Sequence, residues 1–337
     1  MSLILKVDPI NPSAEILKKA AEVIKRGGTV AFPTETVYGL GANCFDRAAV
    51  LRVFEIKRRP ADNPLIVHIS NLKQLDLLIE DDINKAKTLI ETFWPGPVTI
   101  IFKKKPQVPK EVTGGLETVA VRMPSHPVAK MLIELSDTPI AAPSANLSGR
   151  PSPTSAQHVI EDLYGSVDVI IDAGETPLGL ESTVIDLSRE RPTLLRPGPA
   201  TVEEIRRVVP ELHIPDFLLG KAQVERPLAP GMMYRHYAPN KPLILVLDER
   251  KLDSVLMMHP DAPIVCPEEM AGNFYGRRII VMGKLSEPYT IAQNLFKVLR
   301  SVDNYAADVA IVVGLPEKGI LFSVMNRLRK AASQVVE

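Results

Sequence analysis

The sequence predicts an α/β protein of two domains. Short apolar, β-branched runs alternate with helical periodicities in both halves. The 337 residues, 45% hydrophobic and 24% charged, suffice for two cores. Between the halves lies a stretch without periodicity that carries Pro210, Pro215, Pro227, Pro230 and Pro239, with Pro242 just beyond. It reads as a semi-rigid extended linker. The expected divisions are 1–209, an ordered proline-rich linker or lid over 210–241, and a small second domain over 242–337.

In the first domain, Ile16, Leu17, Ala20, Val23 and Ile24 have helical spacing, and Gly27-Gly28 ends that helix. Thr29 to Phe32 is a strand, broken at Pro33-Thr34-Glu35-Thr36. The following V-Y-G-L-G reads as part of a binding loop whose glycines let backbone approach a ligand, or as a polar turn held by its own threonines. Asp46 caps a helix running to Ile56. That helix delivers Lys57, Arg58 and Arg59 to a junction before Pro60, and Leu65 to Ile69 is a buried strand. Two readings of the cations stand. They complement the helix dipole, or they form a pocket with Asn63 and His68 for an anion with several oxygens, a triphosphate being the obvious candidate.

The same pattern continues. Helices are expected over Ile83–Phe93 and Val128–Ser136, with strands at V-T-I-I-F, Thr118–Arg122 and Pro139–Ala142. Arg122 closes an apolar strand; pointing inward, it needs a carboxylate or phosphate. Ser144 and Asn146 alternate on the next loop, either as ligands or as caps for the helix that starts near Thr154. Strands over Val169–Asp172, Glu181–Asp186 and Leu194–Gly198 place Ser182 at one head and Arg196 at one end, before a capped helix over Thr201–Val209. Polar residues thus gather at strand ends.

The linker packs Tyr234, Arg235, His236 and Tyr237 together, which suggests a surface lying over a cleft. Beyond it, L-I-L-V-L, P-I-V-C, R-I-I-V-M and V-A-I-V-V alternate with helices near Leu252–Met258, Tyr289–Leu299 and Ile320–Lys330. This is the rhythm of a small doubly wound, Rossmann-like parallel sheet. Neither G-x-G-x-x-G nor a P-loop occurs, so a nucleotide would bind outside those two fingerprints.

Composition narrows the function. Forty basic and forty acidic residues leave no net charge to attract nucleic acid or an anionic membrane, and 5% aromatics are few for stacking single-stranded bases. Cys44 and Cys266 lie far apart with no metal spacing. With no leader and no apolar run of about 18 residues, the chain is expected to be soluble and cytoplasmic, without membrane association.

Six fragments are more specific together than singly: P-T-E-T-V-Y-G-L-G, K-R-R-P-A-D-N-P-L-I-V-H, A-V-R-M-P, A-P-S-A-N-L-S-G-R-P-S-P-T, E-S-T-V-I-D and L-R-P-G. They resemble the YrdC-like domain of threonylcarbamoyl-AMP synthases, and A-P-G-M-M-Y-R-H-Y-A-P with the trailing domain resembles the long, two-domain form of that family. The resemblance implies a twisted mixed sheet flanked by helices. It further implies a nucleotidyltransferase that joins L-threonine, bicarbonate or CO2, and ATP with Mg2+, and passes its product to a separate tRNA threonylcarbamoyl transferase assembly. Lys57 and Arg59 become the expected catalytic cations. Lys57, Arg59, Asn63, Thr118, Ser144, Asn146, Ser152, Arg196 and Tyr234 are the expected ATP contacts. Thr36, His68, Arg122, Ala142 and Ser182 are the expected threonine contacts, with Ala142, where short relatives tend to carry a hydroxyl, acting through backbone. Metal ligands are not indicated. Competing readings are an RNA- or tRNA-binding protein, a carbamoyl-transfer module lacking its usual acylphosphatase and zinc-finger segments, and a two-domain scaffold. Direct tRNA binding is disfavoured as the main role.

Overall fold

The computed structural model describes residues 1–219, 228 and 236–337. Tyr234, Arg235 and nearly half of the segment read as a lid therefore lie outside the described residues. The described chain falls into two compact units. One holds Met1–Ser148, Pro153–Pro177 and the described residues from Glu181 to Leu228; the other holds Gly149–Ser152, Leu178–Leu180 and the chain from His236 to Glu337.

The first unit is built on a mixed sheet. Its strands are β1 (Leu3–Lys6), β2 (Val30–Pro33), β3 (Tyr38–Asn43), β4 (Ile66–His68), β5 (Val98–Lys103), β6 (Thr118–Arg122), β7 (Ile140–Ala142), β8 (Val169–Asp172), β9 (Thr183–Asp186) and β10 (Thr193–Arg196). They lie in the order β1-β8-β2-β3-β7-β4-β6-β5-β9-β10. β4 runs parallel to β6 and antiparallel to β7, so His68 pairs with Arg122 on one side and Ile140 on the other.

Helices cover the two faces for reasons visible in their sequences. Ala14–Lys25 is capped by the Ser13 hydroxyl, and it buries Leu17, Ala20, Ala21 and Ile24 on one stripe. With Pro127–Ser136 it packs over Val30, Phe32, Ile140, Ala142 and Ile171. On the opposite face, Arg47–Lys57, started by the Asp46 carboxylate on the Ala48 and Ala49 amides, joins Ala156–Leu163 over Ala31, Tyr38, Leu40 and Ile170. At the other half of the sheet, Ile66, Ile101, Ala120, Val184 and Leu195 form a separate apolar patch, against which Phe217 and Leu228 pack. Because alternate strand residues share a face, this patch lies on the side of β4 and β6 that carries His68 and Arg122.

V-Y-G-L-G, expected to be loop, is the start of β3. Glycine lowers strand propensity, yet here it has a packing reason. A Cβ on Gly41 would stand 2.6 Å from Ile140 Cγ2 and 2.7 Å from Phe32 Cε1. Strand β1 was likewise not foreseen; three of its four residues are exposed at a sheet edge, which blurs the hydrophobic pattern.

The second unit is an all-parallel sheet of β11 (Leu243–Val246), β12 (Ile264–Cys266), β13 (Ile279–Val281), β14 (Ala310–Val313) and β15 (Gln334–Val336), in the order β13-β12-β14-β11-β15. The Rossmann-like expectation holds in its parallel, α-linked strands. Counted from its own first strand the order is 3-2-4-1-5, which differs from the common 3-2-1-4-5 by exchanging the third and fourth positions. Tyr237 stacks on Phe296 at 5.3 Å between centroids, with the Arg327 guanidinium 6.0 Å from its ring centre.

Two glycines test how tightly the first unit is packed. A Cβ on Gly198 would lie 2.4 Å from the Thr183 amide nitrogen and 2.7 Å from the Glu181 carbonyl oxygen. Side chains can yield where backbone cannot. Gly198→Ala should therefore lower the urea midpoint more than Gly41→Ala, which should itself cost about 1–3 kcal/mol.

Candidate active site

Arg122 is the centre of one cluster. It is 3% exposed, and a buried guanidinium is tolerated only when its N–H groups are met. Its Nε donates to the Gly96 carbonyl at 3.1 Å, and Nη1 donates to Thr36 Oγ1 at 2.8 Å. Nη2 stands 2.7 Å from Glu35 Oε1. Thr36 is held in turn, its Oγ1 2.7 Å from Thr34 Oγ1, which donates to the Val37 carbonyl at 2.7 Å. The P-T-E-T turn is thus both a self-capped turn and the mount of Arg122.

His68 sits beside Arg122 on β4, with its ring edge-on to Phe32 at 6.0 Å. Burial, reinforced by the neighbouring Arg122 charge, pushes its pKa down to about 3, so the imidazole is neutral. Its Nδ1 has no hydrogen-bond partner among the described residues. His126 caps Pro127–Ser136 by accepting from the Val128 amide at 3.2 Å; burial lowers its pKa, partly offset by Glu35.

Two strands away, Ser182 completes a second network. Its hydroxyl lies 2.7 Å from Thr99 Oγ1 and accepts from Arg196 Nη2 at 3.1 Å, while Arg196 Nε donates to the Ser182 carbonyl at 3.0 Å. Gly198 permits this, because the L-R-P-G turn presses directly on the Ser182 backbone.

The third cluster joins K-x-R to S-x-N. Lys57 is 1% exposed. Its ammonium donates to the carbonyls of Ser144 and Asn146, and its own carbonyl accepts from the Ser148 amide at 3.0 Å. Burial, then the Arg59 charge, lowers its pKa well below the usual lysine value. Arg58 closes the helix in the left-handed region, with φ of 52°. After that turn, Arg59 Nη2 donates to the Asn63 and Pro64 carbonyls at 3.3 and 3.2 Å.

The expected residues thus assemble in part. Thr36, His68 and Arg122 come together, Ser182 joins Arg196, Lys57 joins Ser144 and Asn146, and Arg59 joins Asn63. Ala142 pairs with Ile66 across β7 and β4. His68 stands at the end of β4, paired with Arg122, while Asn63 lies in the turn before that strand. Thr118 lies at the opposite end of β6 from Arg122, where a cavity of about 420 Å3 is lined by Glu80, Lys103, Lys104, Pro106, Glu117 and Ser188. Ser152 is buried within the second unit. Among the described residues, no three His, Cys, Asp or Glu side chains converge to hold a metal. Glu35 and Thr99 were missed. Glu35 could have been found, since an inward Arg122 calls for a carboxylate and P-T-E-T supplies one.

Two outcomes follow from this geometry. Lys57→Met should remove the buried donor shared by the Ser144 and Asn146 carbonyls, of which the Ser144 carbonyl keeps the Asn146 amide at 3.0 Å; the expected loss is about 1–3 kcal/mol in total, read as a lowered urea midpoint. His68 contributes stability fully above its unfolded value of 6.5, and loses it as pH falls toward its folded value of about 3. The unfolded chain takes up a proton that the folded chain refuses. From about pH 6 to about pH 4, His68 should account for about 1.4 kcal/mol of lost stability per pH unit, and His68→Asn should abolish that share of the slope in denaturant titrations.

Known proteins resemble this chain over nearly its whole length. Residues 22–198 match the Sua5/YciO/YrdC family model, described as "Telomere recombination", and residues 200–333 match "Threonylcarbamoyl-AMP synthase, C-terminal domain". The threonylcarbamoyl-AMP synthase of Pyrococcus abyssi is 49% identical over 321 residues, 94% of each chain. That of Bacillus subtilis is 43% identical over 331 residues, 96% of this chain and 95% of the relative. The crystal structure of P. abyssi Sua5 complexed with L-threonine superposes with a TM-score of 0.92 at 46% identity, covering 99% of both chains. E. coli YciO matches 59% of this chain and 96% of its own, with a TM-score of 0.53 at 28% identity. The chain therefore belongs to the Sua5/YrdC family, in the two-domain form of the threonylcarbamoyl-AMP synthases.

Proposed function

We propose that this protein condenses L-threonine, bicarbonate or CO2, and ATP to L-threonylcarbamoyl-AMP and pyrophosphate, for the threonylcarbamoyladenosine modification of tRNA next to the anticodon. The observation that carries the reading is the buried Arg122 guanidinium, set with Thr36 and neutral His68 on the sheet face that leads along β6 to Thr118. An amino-acid carboxylate suits Arg122, whose planar fork matches two oxygens. Ser182, fixed by Arg196 and Thr99, would present its hydroxyl to the same substrate.

The chemistry asks for positioning and charge. A threonine carbamate is already an anionic nucleophile, so adenylation needs no strong base; it needs two anions held in line and charge neutralised as pyrophosphate leaves. Arg59 and Arg196 would meet phosphate oxygens. Lys57 would act through the Ser144–Asn146 loop it ties down, as well as by its charge. The cavity beside Thr118 would take the nucleoside end. Mg2+ would enter as the counter-ion of the triphosphate. A separate transferase assembly would consume the product. We place the protein in the cytosol; among the described residues no helix is long and apolar enough to cross a membrane, and Cys44 and Cys266 are buried free thiols.

Pyrophosphate release from ATP tests the reading, with L-threonine and bicarbonate each omitted in turn. Release should need both, and Arg59→Ala should reduce it at least about tenfold by removing a charged contact. Release without threonine would overturn the reading.

A further inference from the structure

Glu35 is a buried carboxylate whose task in the fold is incomplete. It is 6% exposed, and its charge is matched by Arg122 through a single close approach of 2.7 Å. Neither of its oxygens accepts a geometrically sound hydrogen bond among the described residues. Other buried carboxylates of this unit are better served: Glu111 accepts from Arg47 Nε at 2.7 Å, and Asp186 accepts from the Ser188 hydroxyl and Arg189. A carboxylate can accept several hydrogen bonds, and leaving that capacity unused in a dry site is costly.

The charges around it have a particular pattern. Arg122 brings one positive charge and Glu35 one negative. His68, beside Arg122, is neutral, and His126, on which the Glu35 charge also acts, has its pKa lowered by burial. A fixed cation and a fixed anion side by side complement a zwitterion, with carboxylate toward the guanidinium and ammonium toward the carboxylate. A pocket offering Arg122 alone would repel the ammonium of a free amino acid.

Resting on the proposed function, we propose that Glu35 receives the α-ammonium group of L-threonine and accepts one of its protons as the carbamate forms. An ammonium nitrogen has no free electron pair, so it must lose a proton before it can attack carbon. The first proton passes to a Glu35 oxygen, giving the neutral acid and a free amine. The nitrogen pair then forms the N–C bond to bicarbonate while hydroxide leaves, and hydroxide takes the second nitrogen proton as water. With CO2 the second proton goes to water instead. The carbamate keeps one negative charge, and Glu35 returns its proton to solvent before the next cycle.

The test compares L-threonine with its 2-hydroxy analogue, which keeps the carboxylate, methyl and 3-hydroxyl but lacks the ammonium. Binding to the full chain is read by calorimetry in wild type, Glu35→Gln and Glu35→Asp. Wild type should bind L-threonine at least about tenfold more tightly than the analogue, the worth of a charged contact. Glu35→Gln should lose that preference while holding the analogue as wild type does, and Glu35→Asp should regain part of it. Should Glu35→Gln fail to fold, the wild-type preference and the Glu35→Asp protein still decide. Equal weakening of both ligands in Glu35→Gln would reduce Glu35 to a support for Arg122, and equal wild-type affinity for both ligands would remove it from substrate recognition. Either result overturns this proposal while leaving the synthase reading intact. A wild-type protein that binds no L-threonine would overturn the synthase reading itself, and this proposal with it.

Discussion

The first unit is arranged around the burial of one guanidinium. Leaving Arg122 unmatched in the interior would cost several kcal/mol, and two separate stretches of chain contribute its partners. The loop before β5 offers the Gly96 carbonyl, and the turn after β2 offers Thr36 and Glu35. β4 lies alongside with a histidine that stays uncharged. Satisfying one cation therefore fixes the relative placement of segments up to 86 residues apart, on the sheet face to which the proposed function assigns the substrate.

The same economy recurs twice. Arg196 holds Ser182 by both its hydroxyl and its carbonyl, and Lys57 holds the Ser144–Asn146 loop by its backbone. Each cation is thus engaged with protein in the structure described, so that the polar groups around it are set in advance and little reorganisation is left for the moment of reaction. The depressed Lys57 pKa belongs to this arrangement, since deep burial beside Arg59 disfavours its charge while the two carbonyls accept its protons.

Much of this could be read from the chain itself. The helices with Ser13 and Asp46 caps, the parallel second sheet and the polar strand ends follow from periodicity and turn residues. The exceptions have physical causes. β3 carries Gly41 because Phe32 and Ile140 occupy the space where its side chain would be, a tertiary reason that no local propensity reveals. β1 and β15 are edge strands, partly exposed, whose apolar content is shared with solvent. In the candidate site, residue types that bind anions were evident, whereas their first allegiance was not. Lys57 reads as a phosphate ligand by type and spacing, and only its 1% exposure and backbone partners disclose that it also fastens a loop. Glu35 was hidden among the hydroxyls of P-T-E-T, though the inward direction of Arg122 already asked for it.

The Lys57 tie has a bearing on how this site can drift in sequence. Its acceptors are main-chain carbonyls, which every residue type provides equally. As far as that tie is concerned, positions 144 and 146 are free to exchange side chains over generations without any compensating change at 57. The reverse is forbidden, because no other side chain brings three donors on a slender stem into that space. Correlated substitution, the usual trace of a contact between distant segments, would therefore leave this one unmarked.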